Sequence, residues 1–184
     1  MGGLENPMKN LLRISHTFCI FATQKNYKMY NPEFMKEAIA LSNMCMEDGQ
    51  GGPFGAVVVK DGKIIARGRN SVTSHNDPTA HAEVMAIREA CKVLDTFQLT
   101  GCDLYASSEP CPMCFGAIYW ARPDHVYFAA SCEDAAHGGF DDCFIYDEMK
   151  LPISEYSIPT EQHDRDLAKG TFDRWLEYDN KIEY

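Results

Sequence analysis

Several things are scarce in this chain of 184 residues, and each scarcity removes a class of function. No apolar run approaches the length needed to cross a bilayer, so a transmembrane helix is excluded. Internal repeats and low-complexity tracts are also missing, which excludes solenoids and disordered linkers as the main architecture. Basic residues are few: 17 Lys and Arg stand against 27 Asp and Glu, for a formal net charge of −10. The deficit is concentrated after His125, where 14 acidic residues face only 5 basic ones. Nucleic-acid binding draws chiefly on Lys and Arg neutralising phosphates, so such a surface disfavours a nucleic-acid partner and suits a small molecule carrying little charge.

What is present describes one ordinary domain, with 45% hydrophobic and 24% charged residues. Asn31-Pro32 is a helix start, and Phe34, Ala38, Leu41 and Cys45 then recur at helical spacing until Gly49. Two strands are predicted over 54–59 and 63–68, joined by the hairpin signal Asp61-Gly62. Further helices are predicted over 80–94, 112–121 and 165–179, and further strands over 104–107 and 125–129. The last helix is expected to turn Phe172, Trp175 and Leu176 toward the core, and an irregular stretch containing Gly138 to Asp142 follows the fourth strand. The order αββαβαβα predicts an α/β layered sheet. Residues 1–28 read as an extension without order of its own, ahead of a domain over 29–184.

Eight cysteines in a chain of this kind suit a reducing cytoplasm better than a disulfide framework. Cys45 and Cys91 read as small buried hydrophobes, whereas Cys111 and Cys114 have metal spacing. They lie in Pro110-Cys111-Pro112-Met113-Cys114, one helical turn apart, so both sulfurs reach one point. His81-Ala82-Glu83 supplies an imidazole and a carboxylate at the start of the preceding helix. Helix N-termini favour the thiolate form that binds metal. Three N/S donors make an incomplete zinc shell; catalytic zinc takes three protein ligands and keeps one position for water. Glu83 is then the candidate proton carrier, and H-x-E with P-C-x-x-C is the pattern of zinc-dependent nucleobase deaminases. A structural zinc would need a fourth protein ligand, for which Cys102 is the nearest candidate.

The strings Gly-Gly-Pro-Phe-Gly-Ala-Val-Val-Val (51–59), Asn-Asp-Pro-Thr-Ala-His-Ala-Glu-Val (76–84), Glu-Pro-Cys-Pro-Met-Cys-Phe-Gly-Ala-Ile-Tyr-Trp-Ala-Arg (109–122) and Gly-Phe-Asp-Asp (139–142) carry a resemblance. They are similar to the cytidine deaminase-like superfamily and, within it, to bacterial-type guanine deaminases. The resemblance spans residues 29–184. It implies a three-layer sandwich around a mixed five-stranded sheet, one strand more than the pattern itself predicts. It implies hydrolysis of guanine to xanthine and ammonia, with one zinc per subunit held by His81, Cys111 and Cys114, and Glu83 moving protons. Asn70 matches the asparagine that hydrogen-bonds the base, Phe54 and Trp120 match aromatics near it, and Asp142 matches an acidic residue in binding and proton transfer. Tyr184 matches a terminal tyrosine that covers a pocket, in relatives whose C-terminal segment is exchanged within a homodimer.

On the residues alone, Phe54 reads equally as a core strand residue, Trp120 as core or interface, Asp142 as a loop cap and Tyr184 as a loose terminus. His75, His125 and His137 match no metal spacing. Guanosine or a related aminated ring is the neighbouring substrate, tRNA adenosine deamination the rival of another class, and a non-catalytic zinc module a third. The intact Glu83 argues against the last.

Overall fold

The computed structural model describes residues 30–183. Among these, no helix is long and apolar enough to cross a membrane. Helix α1 (Pro32–Asp48) opens where proline tolerates the missing N–H partner, and the Asn31 side chain accepts from the Glu33 N–H at 3.0 Å. It stops at Gly49, which takes the left-handed conformation at φ 67°. Strands β1 (Gly55–Lys60) and β2 (Lys63–Arg69) follow as an antiparallel hairpin. Its two-residue turn has positive φ at both Asp61 and Gly62 (50° and 73°), the geometry whose twist matches paired strands.

A short helix α2 (Val72–His75) leads to α3 (Ala82–Leu94), strand β3 (Cys102–Ser108), α4 (Pro112–Ala121) and strand β4 (His125–Ala130). The strands form a mixed sheet in the order β2-β1-β3-β4, with only β3 and β4 parallel, joined by α4 as the crossover. Helices cover both faces, which is why β1 and β3 read as unbroken apolar runs rather than alternating ones. Val57, Val59 and Tyr105 meet Met35, Ala38 and Leu41 of α1. Ala56, Val58, Leu104 and Ala106 meet Ala82, Ala86 and Ile87 of α3 and Ile118 of α4. Each fully buried Val or Leu contributes roughly 1.5–3 kcal/mol.

The layers approach closely because glycines stand where helix backbone meets strand. A Cβ on Gly55 would run into the Ala38 carbonyl, and one on Gly68 into the Ala82 carbonyl. The Gly68 contact matters for the site, since Ala82 is the residue between His81 and Glu83.

Three expectations change. The described residues contain four strands, as the pattern alone predicts, and not five as the resemblance implies. The stretch after β4 holds two short helices, α5 (Cys132–His137) and α6 (Cys143–Glu148), the first closed by a capping box between Ser131 and Asp134. The last helix, α7 (Arg165–Leu176), does form, but Phe172, Trp175 and Leu176 are 70%, 41% and 70% exposed instead of buried. An apolar stripe needs a cover, and among the described residues these three side chains of α7 stay exposed. The N-terminal extension of residues 1–28 and the terminal Tyr184 lie outside the described residues.

Candidate active site

The site lies along one edge of the sheet, where the carboxyl ends of β2 and β3 meet the start of β1. Ligands favour the carboxyl ends of strands in open α/β sheets because helix N-termini converge there. Here His81 occupies the N-cap position of α3 and Cys111 that of α4, and neither side chain makes a cap hydrogen bond. Both side chains are thereby left for other partners. Cys114 lies one turn into α4 and is fully buried.

The three donors converge. His81 Nδ1 is 3.6 Å from the Sγ of Cys111 and 3.6 Å from that of Cys114. Together they are the cluster His81, Cys111 and Cys114, with ligand atoms all within 4.8 Å of one another. A tetrahedral zinc with Zn–N of about 2.0–2.1 Å and Zn–S of about 2.3 Å would separate nitrogen and sulfur by about 3.6 Å. The donor set therefore fits the ion in spacing as well as in chemistry. Cys102 starts β3 inside the apolar core and is not part of the cluster, so a fourth protein ligand is not supplied from there.

Electrostatics follow from this crowding. The Cys111 thiol is lowered to about 4, first by the hydrogen bond from Cys114 and then by that with His81. Cys114 moves the other way, raised first by the neighbouring Cys111 sulfur and then by burial beside Glu83. Hydrogen bonding to Cys111 raises His81. Glu83 is only 6% exposed, and burial raises its carboxyl, with the Cys111 charge adding to the rise. Its Oε2 accepts from Cys114 Sγ at 3.4 Å, which places the carboxylate at the rim of the ligand cluster. A buried carboxyl with a raised pKa beside a metal cluster is a group that can take and return a proton.

In front of the cluster is a cavity of about 240 Å³. His81, Glu83, Cys111, Asn70, Phe54 and Asp142 all line it. Asn70 is 5% exposed, and its Oδ1 accepts from the backbone N–H groups of Gly52 and Val72, each at 3.2 Å. What it has left for a ligand is its NH₂. Asp142 sits at the N-cap of α6 but makes no cap bond; the neighbouring Asp141 accepts from Cys143 N instead, at 2.9 Å. The Asp142 carboxyl is raised by burial and then by the Cys111 charge. Phe54 meets Phe140 edge to face, centroids 5.0 Å apart, forming an aromatic wall.

The remaining candidates fall elsewhere. Trp120 is 62% exposed and lines a separate hollow with Thr171, Phe172, Trp175 and Ile182. Tyr184 lies outside the described residues. His125 pairs with the buried Asp103 at 3.2 Å, at the other end of β3, and His75 and His137 are exposed. Among the lining residues not singled out from sequence are Phe140 and Glu109, whose carboxylate accepts from Cys132 N at 3.2 Å. Both stand in the Gly-Phe-Asp-Asp and Glu-Pro-Cys strings, but only the folded loop between α5 and α6 brings Phe140 against Phe54.

Comparison with known proteins agrees with this geometry. Residues 29–130, more than half the chain, match the cytidine and deoxycytidylate deaminase zinc-binding region. Guanine deaminase of Bacillus subtilis is 55% identical over 156 residues, covering 85% of this chain and all of that protein. Its crystal structure superimposes with a TM-score of 0.82 over 85% of this chain and 99% of that one. Guanine deaminase of Nitrosomonas europaea superimposes with a TM-score of 0.58 at 35% identity, covering 62% of this chain and 66% of that one. A tRNA-specific adenosine deaminase of Aquifex aeolicus is 45% identical over 119 residues, covering 64% of this chain and 77% of that protein. The chain belongs to the cytidine and deoxycytidylate deaminase zinc-binding family and, within it, to the guanine deaminases.

Proposed function

We propose that the protein hydrolyses guanine to xanthine and ammonia, with His81, Cys111 and Cys114 holding one zinc ion. Those three residues would hold the ion, which would supply an acidified water at the cavity floor. Two thiolates offset the charge of the ion, so the water keeps more of its proton than it would beside three imidazoles. Glu83 carries that burden: it passes one proton of the water to the ring nitrogen and then the second, from the newly formed hydroxyl on the ring carbon, to the leaving amine. One water enters, the exocyclic C–N bond breaks, and one ammonia leaves. Asn70 donates its NH₂ to an acceptor on the ring, while Asp142 accepts from a ring N–H. Phe54 and Phe140 pack against the apolar face of the base.

The observation that carries this reading is the pairing of Asp142 with Asn70 across one small cavity. An uncapped, half-buried carboxylate and an amide with only its NH₂ to spare complement a purine that offers both N–H groups and acceptors. The test measures ammonia release from guanine, guanosine, adenine, cytosine and a tRNA anticodon stem. Turnover of guanine is expected; absence of it beside robust tRNA turnover would overturn the reading. The acidic stretch after His125 argues against the tRNA substrate.

We further infer a homodimer in which the C-terminal segment crosses to the partner. The support is α7, whose Leu167, Phe172 and Leu176 are all at least 70% exposed, and the apolar hollow that Phe172 and Trp175 share with Trp120. In such a dimer Tyr184 closes the partner's cavity and Trp120 lies at the subunit contact rather than against the base. Mixing a Glu83→Gln protein with one truncated before Asn180 tests this. Recovery of activity on refolding the two together supports the exchange, and inert mixtures refute it. The chain's described cysteines are all free, which fits a reducing cytoplasm.

A further inference from the structure

Four strand-end residues make one row along the cavity edge of the sheet: Asn70, Phe54, Ser108 and Ala130. Asn70 N donates to Phe54 O, Ser108 pairs with Ala130, and the Ala56–Ala106 register, carried on two residues, sets Phe54 opposite Ser108. Asn70 and Phe54 line the cavity. Ser108 lies between them and β4, only 6% exposed. Along β3, Cys102, Leu104 and Ala106 face α3 and α4, so the alternation of the strand turns Ser108 to the same side, under the N-termini that carry His81, Glu83, Cys111 and Cys114. Its Oγ is the one buried side-chain polar atom among the described residues that has no hydrogen-bond partner. A buried hydroxyl left unpaired is costly, and its persistence calls for an acceptor.

The metal centre has an acceptor in need of a donor. The Cys114 sulfur is fully buried, and its hydrogen bond to Glu83 runs outward, as a donor. A ligand sulfur binds metal as thiolate, so on loading that bond is lost and Cys114 becomes an acceptor. We propose that Ser108 is a positioning residue of the metal centre, its hydroxyl donating to the Cys114 sulfur through one buried water. This rests on the metal-centre reading above. It adds a fixed donor behind the ligand that faces Glu83, so that the carboxylate is released for proton transfer while the sulfur keeps its orientation.

The test uses full-length protein loaded with cobalt in place of zinc, comparing Ser108→Ala and Ser108→Thr with the parent. Removing a donor makes the thiolate more electron-rich, so the sulfur-to-cobalt charge-transfer band of Ser108→Ala shifts to lower energy. Metal affinity falls about 10-fold, the low end of what loss of such a partner costs. Ser108→Thr keeps the hydroxyl and restores both. The metal-free Ser108→Ala protein melts no lower than the parent, since it loses only an unpaired group. An unshifted band with unchanged affinity overturns the proposal, as does Ser108→Thr behaving like Ser108→Ala. A parent protein that takes up no cobalt overturns the metal-centre reading as well.

Discussion

Replacing Glu83 with glutamine separates proton transfer from everything else the site does. The amide has nearly the volume of the carboxylate, so a residue 6% exposed at the junction of α3 and α4 is replaced without a cavity or a clash. None of His81, Cys111 and Cys114 is altered, and zinc content should stay at the parent level. General acid–base assistance is worth about 10²–10⁴ in rate. Glu83 is asked to act twice, passing one proton to the ring nitrogen and a second to the leaving amine. The loss should therefore fall in the upper half of that range, about 10³–10⁴-fold, or roughly 4–5.5 kcal/mol of barrier. KM should change little, because Asn70 and Asp142 are untouched. Glu83→Asp keeps the charge but shortens the reach, and a displacement of about 1 Å can cost about 10²-fold. Ammonia release under saturating guanine, zinc by elemental analysis and a melting curve decide the matter on one preparation. A glutamine variant that keeps a tenth or more of the parent's turnover with its zinc in place would refute the reasoning. One that loses its zinc would make Glu83 a ligand.

Other substitutions separate binding from folding. Asp142→Asn should lower kcat/KM for guanine by about 10–100-fold, the weight of one hydrogen bond to a charged group, with zinc and melting temperature unchanged; equal kcat/KM would remove Asp142 from the site. Asn70→Asp keeps an oxygen for the Gly52 and Val72 N–H groups but has no NH₂, so it should fold normally and bind guanine poorly. Asn70→Ala should also lose about 1–3 kcal/mol of stability, because two backbone donors are left unpaired; a titration with urea distinguishes the two variants. Gly68→Ala drives a methyl into the Ala82 carbonyl and should cost about 1–3 kcal/mol, with weakened metal retention because α3 carries His81. Unchanged urea stability would show that the α3–β2 contact yields.

Local chemistry explains which parts were legible. The caps of α1, the Asp61-Gly62 turn and the prolines that open α1 and α4 each act within a few residues, so their structural consequences can be read directly. The ligand triad was legible for a related reason: Cys111 and Cys114 share one helical turn, and a second helix start with its own free donors had to meet them. Asp142 was ambiguous because Asp141 beside it is equally able to cap α6. Only the hydrogen bond from Cys143 to Asp141 resolves which carboxylate is free to face the cavity. Phe140 and Glu109 were invisible as lining groups since their positions depend on how α5 and α6 fold back, and no periodicity runs through those 6-residue helices.

Helix α7 shows where reading by periodicity reaches its limit. Its pattern is real, and the helix forms over Arg165–Leu176, but the pattern says only that Leu167, Phe172 and Leu176 need a cover. It does not say whose surface provides it. In a closed monomer the answer would have been the core, and the exposures of 78%, 70% and 70% exclude that. The two core clusters pack the sheet against α1 on one face and against α3 and α4 on the other, and among the described residues α7 contributes to neither. What α7 does line is the hollow at Trp120, on the helix whose first turn holds both ligand cysteines. A second copy docking there would couple assembly to the metal centre through a single short helix. Trp120→Ser should then weaken self-association and slow turnover together, with zinc content unchanged. Sedimentation at several concentrations, read against ammonia release, checks the coupling, and a monomer of full activity would refute it.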